Sequence, residues 1–342
     1  MSRVSAGELG VDQDTDVISP DGGGTSTLCG HLPAWYGLFM RWLLPFLLLA
    51  LSPGMHAEEV IRVTWKTTHA AAPAQFTPPA SDVLPAFRMA LTALPESAIV
   101  ALALSQPAVL GLTNEQAATM RPLVAARYEL IAQSPVYSGV GSALPYCFAA
   151  VQAQEGLALV HVPAAANAQT PVLLFLHGYG GSFLWYQHLL AEQFPKSLII
   201  CPAYGISTST ISGDYVQECV QAVGARLGRA ISRPFLIGLS AGGSGACHIY
   251  TQHPERFDRL ICLASYPSEN LLLKFPRDSK PAFMAGGEEF FVKSGDFARR
   301  IARVRQQAPA TQDFTVPQAD HFFLLSHTSL TMAKLREWLT RP

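Results

Sequence analysis

The sequence predicts an α/β fold: a mostly parallel sheet with helices on both faces, an antiparallel hairpin at its start and a helical segment before it. Short runs in which every residue is apolar recur along the second half of the chain, and strands that are apolar on both faces are typical of a parallel sheet covered by helices. Segments with apolar residues at helical spacing separate these runs, as the crossover connections between parallel strands require. Apolar residues make up 49% of the 342 residues, enough for a sizeable core.

The first 57 residues are predicted to lie outside the folded protein. Residues 1–39 are largely polar and rich in glycine, and we interpret them as an over-extended reading of the coding sequence. Residues 40–57 contain Arg41, an apolar run over 42–51 and the small residue Ala57, which is the pattern of a signal peptide. Because that run is shorter than the roughly 20 residues that cross a bilayer, we expect no stable membrane span after cleavage and a secreted or periplasmic protein. N-terminal sequencing of exported protein would check this, and a start upstream of residue 40 would contradict it.

Residues 58–143 are predicted to be a linker followed by a helical accessory segment. Prolines among many alanines and threonines predict a linker or poorly ordered lead-in over 58–82. Short helices interrupted by proline are predicted over 83–135, where Thr113 and Gln116 have the spacing of a capping box. The sequence assigns no chemistry to this segment and leaves its role open.

The domain from 144 to 342 is predicted to contain the sheet. It begins with an expected antiparallel hairpin formed by 144–151 and 157–162 around a turn at Gly156. Apolar runs predict further strands at 172–176, 198–201, 235–239, 260–264, 282–285 and 314–316. Apolar helical faces from Tyr215 to Leu227 and from Met332 to Leu339 predict helices that cover this sheet.

Charge and cysteine content exclude several classes of function. The formal net charge is −1 and no run of Lys and Arg exceeds two residues, so the basic stripe typical of nucleic-acid-binding proteins is absent. Loss of residues 1–57 would leave five of the six cysteines, which we expect to be small buried apolar residues with an undecided disulfide state. No metal-binding spacing, Walker loop or dinucleotide fingerprint is present in the sequence, so no cofactor or metal is expected.

The strongest chemical signal is a G-x-S-x-G motif, Gly238-Leu-Ser240-Ala-Gly242. It follows the predicted strand 235–239 and precedes a segment that can be helical, the strand–turn–helix context that exposes a nucleophilic serine. Glycine is required on either side because the turn is tight. The sequence therefore predicts that Ser240 is a nucleophile at the N-terminus of a helix, where the dipole favours developing negative charge.

A glycine-rich segment, residues 177–181 (His-Gly-Tyr-Gly-Gly), directly follows the predicted strand 172–176. Glycines would let backbone N–H groups approach a substrate carbonyl. We predict that the N–H groups of Tyr179 and Ala241 form an oxyanion hole. His177 precedes the nucleophile in the chain and is expected to hold the loop through hydrogen bonds.

On these two motifs, their spacing and the rhythm of the strands, residues 144–342 resemble the α/β-hydrolase family. The resemblance is specifically to its exported esterase-like members, among them feruloyl-esterase-like and polyester-depolymerase-like enzymes. The resemblance implies a catalytic triad in the chain order serine, acid, histidine. His321, after the last predicted strand, is then the expected general base. Glu289, where the family pattern has aspartate, is the expected acid.

The sequence leaves alternatives open for two triad positions. His327 is the second candidate for the general base. Glu288 and Asp296 are further candidates for the acid, with Glu269 a more distant one, although Asp296 fits the start of a helix better, as part of an N-cap.

Together these residues predict an exported serine hydrolase that cleaves a small-molecule or polymer-borne carboxylic ester through an acyl-enzyme. A serine peptidase of the same fold is one alternative, although the related peptidases carry a large N-terminal propeller and the residues before 144 look helical. A second alternative is a hydrolase fold without catalytic activity that is used for binding. Such a protein would be expected to lack one of the triad residue types, and all of them are present here. Acyl and alcohol specificity and the oligomeric state are left open.

Overall fold

A mixed β-sheet is the centre of the computed structural model, which describes residues 57–68, 80–107, 112–148, 154–205 and 211–340. Within these ranges eight strands form one sheet in the order β1-β2-β4-β3-β5-β6-β7-β8. The strands are β1 Glu59–Lys66, β2 Glu155–Val162, β3 Val172–Leu176, β4 Leu198–Ala203, β5 Phe235–Leu239, β6 Arg259–Leu263, β7 Ala282–Gly286 and β8 Gln312–Val316. The predicted strand positions from 157 onward are confirmed to within two residues at each end.

Helices cover both faces of this sheet. They are α1 Ala80–Ala93, α2 Glu96–Ser105, α3 Asn114–Gln133, α4 Leu144–Cys147, α5 Leu184–Gln193, α6 Gly213–Arg226, α7 Ala241–Gln252, α8 Phe290–Lys293, α9 Asp296–Gln307, α10 Phe323–Ser326 and α11 Thr328–Thr340. One apolar core joins the sheet to α1–α5, α10 and α11, and a second joins its other face to α6, α7 and α9. The predicted fold class is therefore confirmed.

Strand direction decides which loops meet. The strands β3, β5, β6, β7 and β8 all pair in parallel, whereas β1 with β2 and β2 with β4 are antiparallel. The carboxyl ends of the parallel strands therefore lie along one edge of the sheet, the edge at which ligands bind in open α/β folds.

The antiparallel start exists, but the hairpin predicted from 144–151 and 157–162 is wrong in its first strand. Leu144–Cys147 forms α4, and 149–151 lie outside the described residues. The partner of β2 is β1, which pairs with it from Glu59 opposite Val162 to Lys66 opposite Glu155. A short apolar run is buried in either conformation, and Pro145 in the first turn favours the helix.

The segment predicted as a linker, 58–82, contains β1 and the start of α1, and its residues 69–79 lie outside the described ranges. The helical prediction for the residues that follow is confirmed, and so is the capping box of α3, in which Thr113 and Gln116 each bind the other's backbone N–H. These helices share the main core: Leu91, Ile99 and Val124 are buried against the same face of the sheet as α5 and α11. The accessory segment is thus packed into the domain as part of it.

Two further expectations concern the ends and the cysteines. The predicted extension over 1–39 and all but Ala57 of the predicted signal peptide over 40–57 lie outside the described residues. All five cysteines of the described ranges are buried, as predicted, and the Sγ atoms of Cys247 and Cys262 lie 3.4 Å apart. Among the helices in these ranges, none has both the length and the apolar character needed to cross a bilayer.

Candidate active site

Ser240 occupies a sharp turn between β5 and α7. Its backbone has φ 51° and ψ −115°, a strained conformation that places the side chain above the end of the strand. Its N–H donates to the carbonyl of Leu263 at 2.8 Å, and its own carbonyl accepts from the N–H groups of Gly243 and Ser244. These bonds fix the turn between the end of β6 and the first turn of α7.

The glycines of the motif are required by close backbone contacts. A Cβ atom added to Gly242 would lie 2.3 Å from the carbonyl oxygens of both Leu176 and His177. One added to Gly238 would lie 2.5 Å from the carbonyl oxygen of Gly242. Neither position can hold a side chain unless the backbone moves, because real Cβ contacts do not approach so closely.

Ser240, His321 and Glu289 form one hydrogen-bonded row. Nε2 of His321 lies 2.9 Å from Oγ of Ser240, and Nδ1 lies 2.7 Å from Oε2 of Glu289. A carboxylate accepts only, so Nδ1 carries the proton and Nε2 is free to accept the serine proton. The Glu289 side chain is 5% exposed, whereas that of His321 is 39% exposed and open to a substrate.

The turns that carry the acid and the histidine are bonded to each other. The second carboxylate oxygen of Glu289 accepts from the N–H of Gly286 at 2.9 Å, within its own turn. The neighbouring N–H of Glu288 donates to the carbonyl of Ala319 at 2.9 Å, and that of Gly287 donates to Val316 at 2.8 Å. The acid is therefore held at a fixed position relative to the turn that follows β8.

The alternative residues lie elsewhere. Glu288 is half exposed and forms an ion pair with Lys293. Asp296 is the first residue of α9, after the N-cap Gly295, so the predicted helix start is confirmed. Its carboxylate makes no capping bond and instead binds Arg299 and Arg300. The remaining two candidates also bind other residues. Glu269 forms ion pairs with arginines of α9, and His327 forms a hydrogen bond with the hydroxyl of Ser326.

The loop after β3 passes beside the nucleophile. A Cβ atom added to Gly178 would lie 3.3 Å from the Cβ of Ser240, and the next residue, Tyr179, is 61% exposed. Ala241 is the first residue of α7, and a first helical N–H has no partner within its helix. The two predicted oxyanion donors thus lie at the same edge of the sheet as Ser240. Their catalytic role stays a prediction.

His177 is fully buried at the start of that loop. Its Nδ1–H donates to the carbonyl of Gly178 at 2.8 Å, and its ring stacks on Tyr204 with 3.8 Å between centroids. The Tyr204 hydroxyl also donates to the backbone carbonyl of His177 at 2.6 Å. Burial lowers the pKa of His177 to about 4, so its imidazole is neutral near pH 7. In this form it stabilises the loop through its hydrogen bond to Gly178.

Sequence reasoning missed Asp320, which supports the histidine turn. Its Oδ1 accepts from the N–H of Phe322 at 2.9 Å, and its Oδ2 accepts from Nε2 of Gln116 at 3.1 Å. The second contact spans 204 residues and comes from the capping box of α3. Only the position of Asp320 beside His321 could have drawn attention to it, since its partner lies in a segment for which no chemical role was predicted.

The arrangement has the parts needed for acyl transfer: a nucleophile, a base that reaches it, an acid that orients the base, and backbone N–H groups near the nucleophile. No group of three or more His, Cys, Asp or Glu side chains in the described ranges is placed to hold a metal ion.

Sequence comparison gives two kinds of match. Residues 171–286 match the model of a family described as alpha/beta hydrolase fold. A pimeloyl-[acyl-carrier protein] methyl ester esterase of Klebsiella pneumoniae is 32% identical over 135 residues, covering 38% of this chain and 49% of the relative. An esterase of the same name from Pectobacterium carotovorum is 31% identical over 134 residues, or 38% and 50% of the two chains. The chain thus spans about half the length of the curated relatives it matches.

Solved structures with a similar fold include a predicted CIB-like hydrolase from Thermoplasma acidophilum, at 14% identity and a TM-score of 0.41 over 53% of this chain and 93% of that one. The carboxylesterase CesB from Bacillus subtilis has 14% identity and a TM-score of 0.39, over 54% and 88% of the two chains. The strand order, the antiparallel start and the match over residues 171–286 together show that this chain has the α/β-hydrolase fold.

Proposed function

We propose that this protein is a serine hydrolase that cleaves carboxylic esters through an acyl-enzyme. The observation that carries the proposal is the row of hydrogen bonds from Glu289 through His321 to Ser240, with distances of 2.7 and 2.9 Å. Distances of this kind let the imidazole remove the serine proton without any side-chain movement.

The proposed reaction has two halves. Ser240 Oγ attacks the ester carbonyl while Nε2 of His321 takes its proton, and Glu289 stabilises the imidazolium that forms. The N–H groups of Tyr179 and Ala241 bind the oxyanion, and His321 then returns the proton to the departing alcohol. Water, deprotonated by His321, attacks the acyl-enzyme, and collapse of the second tetrahedral intermediate releases the acid and restores the Ser240 hydroxyl.

The names of the curated relatives support an ester as substrate and a small alcohol as one product. Both relatives described above are named methyl ester esterases, and methyl is the smallest alkyl group that the alcohol part of an ester can carry. We therefore include monomethyl pimelate beside p-nitrophenyl esters of different acyl length as test substrates.

The test compares residues 58–342 with the same protein carrying Ser240→Ala. We expect the wild-type sequence to hydrolyse at least one ester of the panel, and the variant to lose at least about 10⁴-fold in kcat, because it lacks the nucleophile. A fluorophosphonate should label the wild type at Ser240, as mass spectrometry of the labelled peptide would show.

Ser244→Ala is the matched control, since Ser244 lies one turn further along the same helix, is exposed, and its hydroxyl forms a hydrogen bond with the hydroxyl of Ser265. It should keep nearly full activity. An ester hydrolysis that survives Ser240→Ala, or a wild type that neither turns over any ester nor reacts with the fluorophosphonate, would refute the proposal.

A further inference from the structure

A buried carboxyl group in the accessory helices binds the end of the segment that carries Tyr179. Glu96 is the first residue of α2 and is only 4% exposed. Its Oε1 accepts from the backbone N–H of Leu184 at 2.6 Å and from the Tyr128 hydroxyl at 2.8 Å, and its Oε2 accepts from the Ser142 hydroxyl at 2.6 Å. Three separate parts of the chain therefore meet on one side chain.

Helix α5, which begins at Leu184, needs an acceptor from outside its own sequence. The first N–H groups of a helix have no partner within it, and a polar residue at the N-cap usually supplies one. The N-cap of α5 is Phe183, which makes no side-chain capping bond. Since Leu184 is buried, water is a poor substitute, and Glu96 provides the missing acceptor from 88 residues earlier in the chain.

The segment between β3 and α5 is thereby tied at both ends. At its start, the backbone carbonyl of His177 accepts a hydrogen bond from the Tyr204 hydroxyl. At its end, the N–H of Ser182 donates to Sγ of the buried Cys147 at 3.3 Å. Two residues later, the N–H of Leu184 donates to Glu96. Tyr179 lies between these anchors. The hydrogen bonds at the two ends of the segment therefore limit how far the Tyr179 N–H can move relative to Ser240.

We propose that Glu96 is a positioning residue of the active site, which fixes the N-terminus of α5 and so places the Tyr179 N–H opposite Ser240. This inference rests on the proposed function, since it assigns the oxyanion donor its support. A displaced donor weakens the bond to the oxyanion more than it weakens the binding of the uncharged ester, so the effect belongs to the transition state.

The test compares the full chain with four variants of it, each carrying a single substitution. Glu96→Ala removes the acceptor, and Glu96→Asp keeps a carboxyl group that is too short to reach the Leu184 N–H. Glu96→Gln is the conservative variant, because its amide oxygen still accepts from Leu184 and Tyr128 and its amide N–H can donate to Ser142. Glu115→Ala is the matched control, a glutamate in the first turn of α3 that is exposed.

Three readouts separate positioning from simple stability. Fluorophosphonate end-point labelling counts competent sites, so that kcat is expressed per site. The inhibition constant of a boronic acid, which forms a tetrahedral adduct on a nucleophilic serine, reports the oxyanion donors. Hydrogen–deuterium exchange of peptides covering 178–190 reports the end of α5 without any need for turnover.

We expect Glu96→Ala and Glu96→Asp to lose about 10- to 100-fold in kcat per site, less than the 10²–10³ of a fully deleted donor, with KM changed by less than about threefold. Boronic acid binding should weaken in parallel, and the amides near 184 should exchange faster. Glu96→Gln should recover most of the wild-type rate, and Glu115→Ala should match the wild type throughout.

The inference is overturned if Glu96→Asp or Glu96→Ala shows wild-type kcat per site and wild-type boronic acid affinity, even with a lower melting temperature. If Glu96→Ala does not fold, Glu96→Asp and Glu96→Gln decide the question by the same readouts. An inactive and unlabelled wild type would instead refute the proposed function, and wild-type exchange rates near 184 in Glu96→Asp would separately refute the bracing of α5.

Discussion

Two adjacent glutamates after β7 have different surroundings, and these surroundings separate their roles. The Glu289 side chain is 5% exposed and points to His321, whereas that of Glu288 is 50% exposed and pairs with Lys293. The backbone of the turn causes the difference, because the carboxylate of Glu289 accepts from Gly286 within the turn while the N–H of Glu288 is directed to Ala319. A glutamate can take the place of an aspartate here because this turn sets its carboxylate against Nδ1.

Replacement of the two glutamates gives a paired prediction at this scale. Glu289→Gln should lower kcat by about 10³- to 10⁴-fold, because an amide does not hold the histidine in the tautomer that accepts the serine proton or stabilise the imidazolium. Glu288→Gln should stay within about twofold of the wild type, since an exposed ion pair contributes little. Steady-state kinetics on the best ester of the panel measure both. A large loss in Glu288→Gln with an active Glu289→Gln would reverse the assignment.

At the scale of elements, the edge strand β1 completes the sheet from a part of the chain that precedes the accessory helices. It pairs with β2 along its whole length, and Val60 and Val63 are buried on opposite faces of the sheet. The β-branched residues in Glu59–Lys66 favour a strand, which is the signal that the linker interpretation overlooked. A sheet edge is formed by long-range pairing, so its partner could not be identified from local pattern alone.

Removal of β1 should therefore damage the fold. A protein that starts at residue 80 would expose the backbone of β2, which is otherwise buried almost throughout, and unpaired apolar edges promote aggregation. We expect it to be largely insoluble, or to melt at least about 10 °C below the protein that starts at residue 58. Soluble yield and thermal unfolding followed by circular dichroism measure this. Equal melting temperatures for the two proteins would show that β1 is dispensable.

At the scale of the whole molecule, the buried polar group at Glu96 links stability to pH. Burial raises the pKa of the Glu96 carboxyl from 4.5 to about 7, and hydrogen bonds from Ser142, Tyr128 and Leu184 act in the opposite direction. Between these two values the unfolded chain releases a proton that the folded protein still holds. Deprotonation then favours unfolding, so the contribution of Glu96 is fully present below about pH 4.5 and is lost as pH rises through 7.

The free energy of unfolding of the wild type, relative to that of Glu96→Gln, should fall by up to about 3 kcal/mol between pH 4.5 and pH 8. Urea unfolding at several pH values measures this difference, in which the titration of other groups such as His177 cancels. Glu115→Gln, which removes the carboxyl group of an exposed glutamate, serves as the control. A flat difference for Glu96→Gln would show that the carboxyl group is not buried in solution as it is here.

Local patterns in the sequence determined the fold class, most strand positions and the turn at Ser240. Each of these depends on residues that are adjacent in the chain: short apolar runs, most of which are buried strands, and two glycines flanking a serine after one such run. The chain order of the motifs also limited the histidine and the acid to a few candidates, although it could not choose between neighbours such as Glu288 and Glu289.

The tertiary structure decided the contacts that join distant parts of the chain. The pairing of β1 with β2, the bond from Gln116 to Asp320 and the bond from Leu184 to Glu96 connect residues separated by 88 residues or more. Such contacts depend on where the chain returns after many turns, which no local periodicity encodes. Burial then fixes their importance, because a polar group that is removed from water must find its partner within the fold.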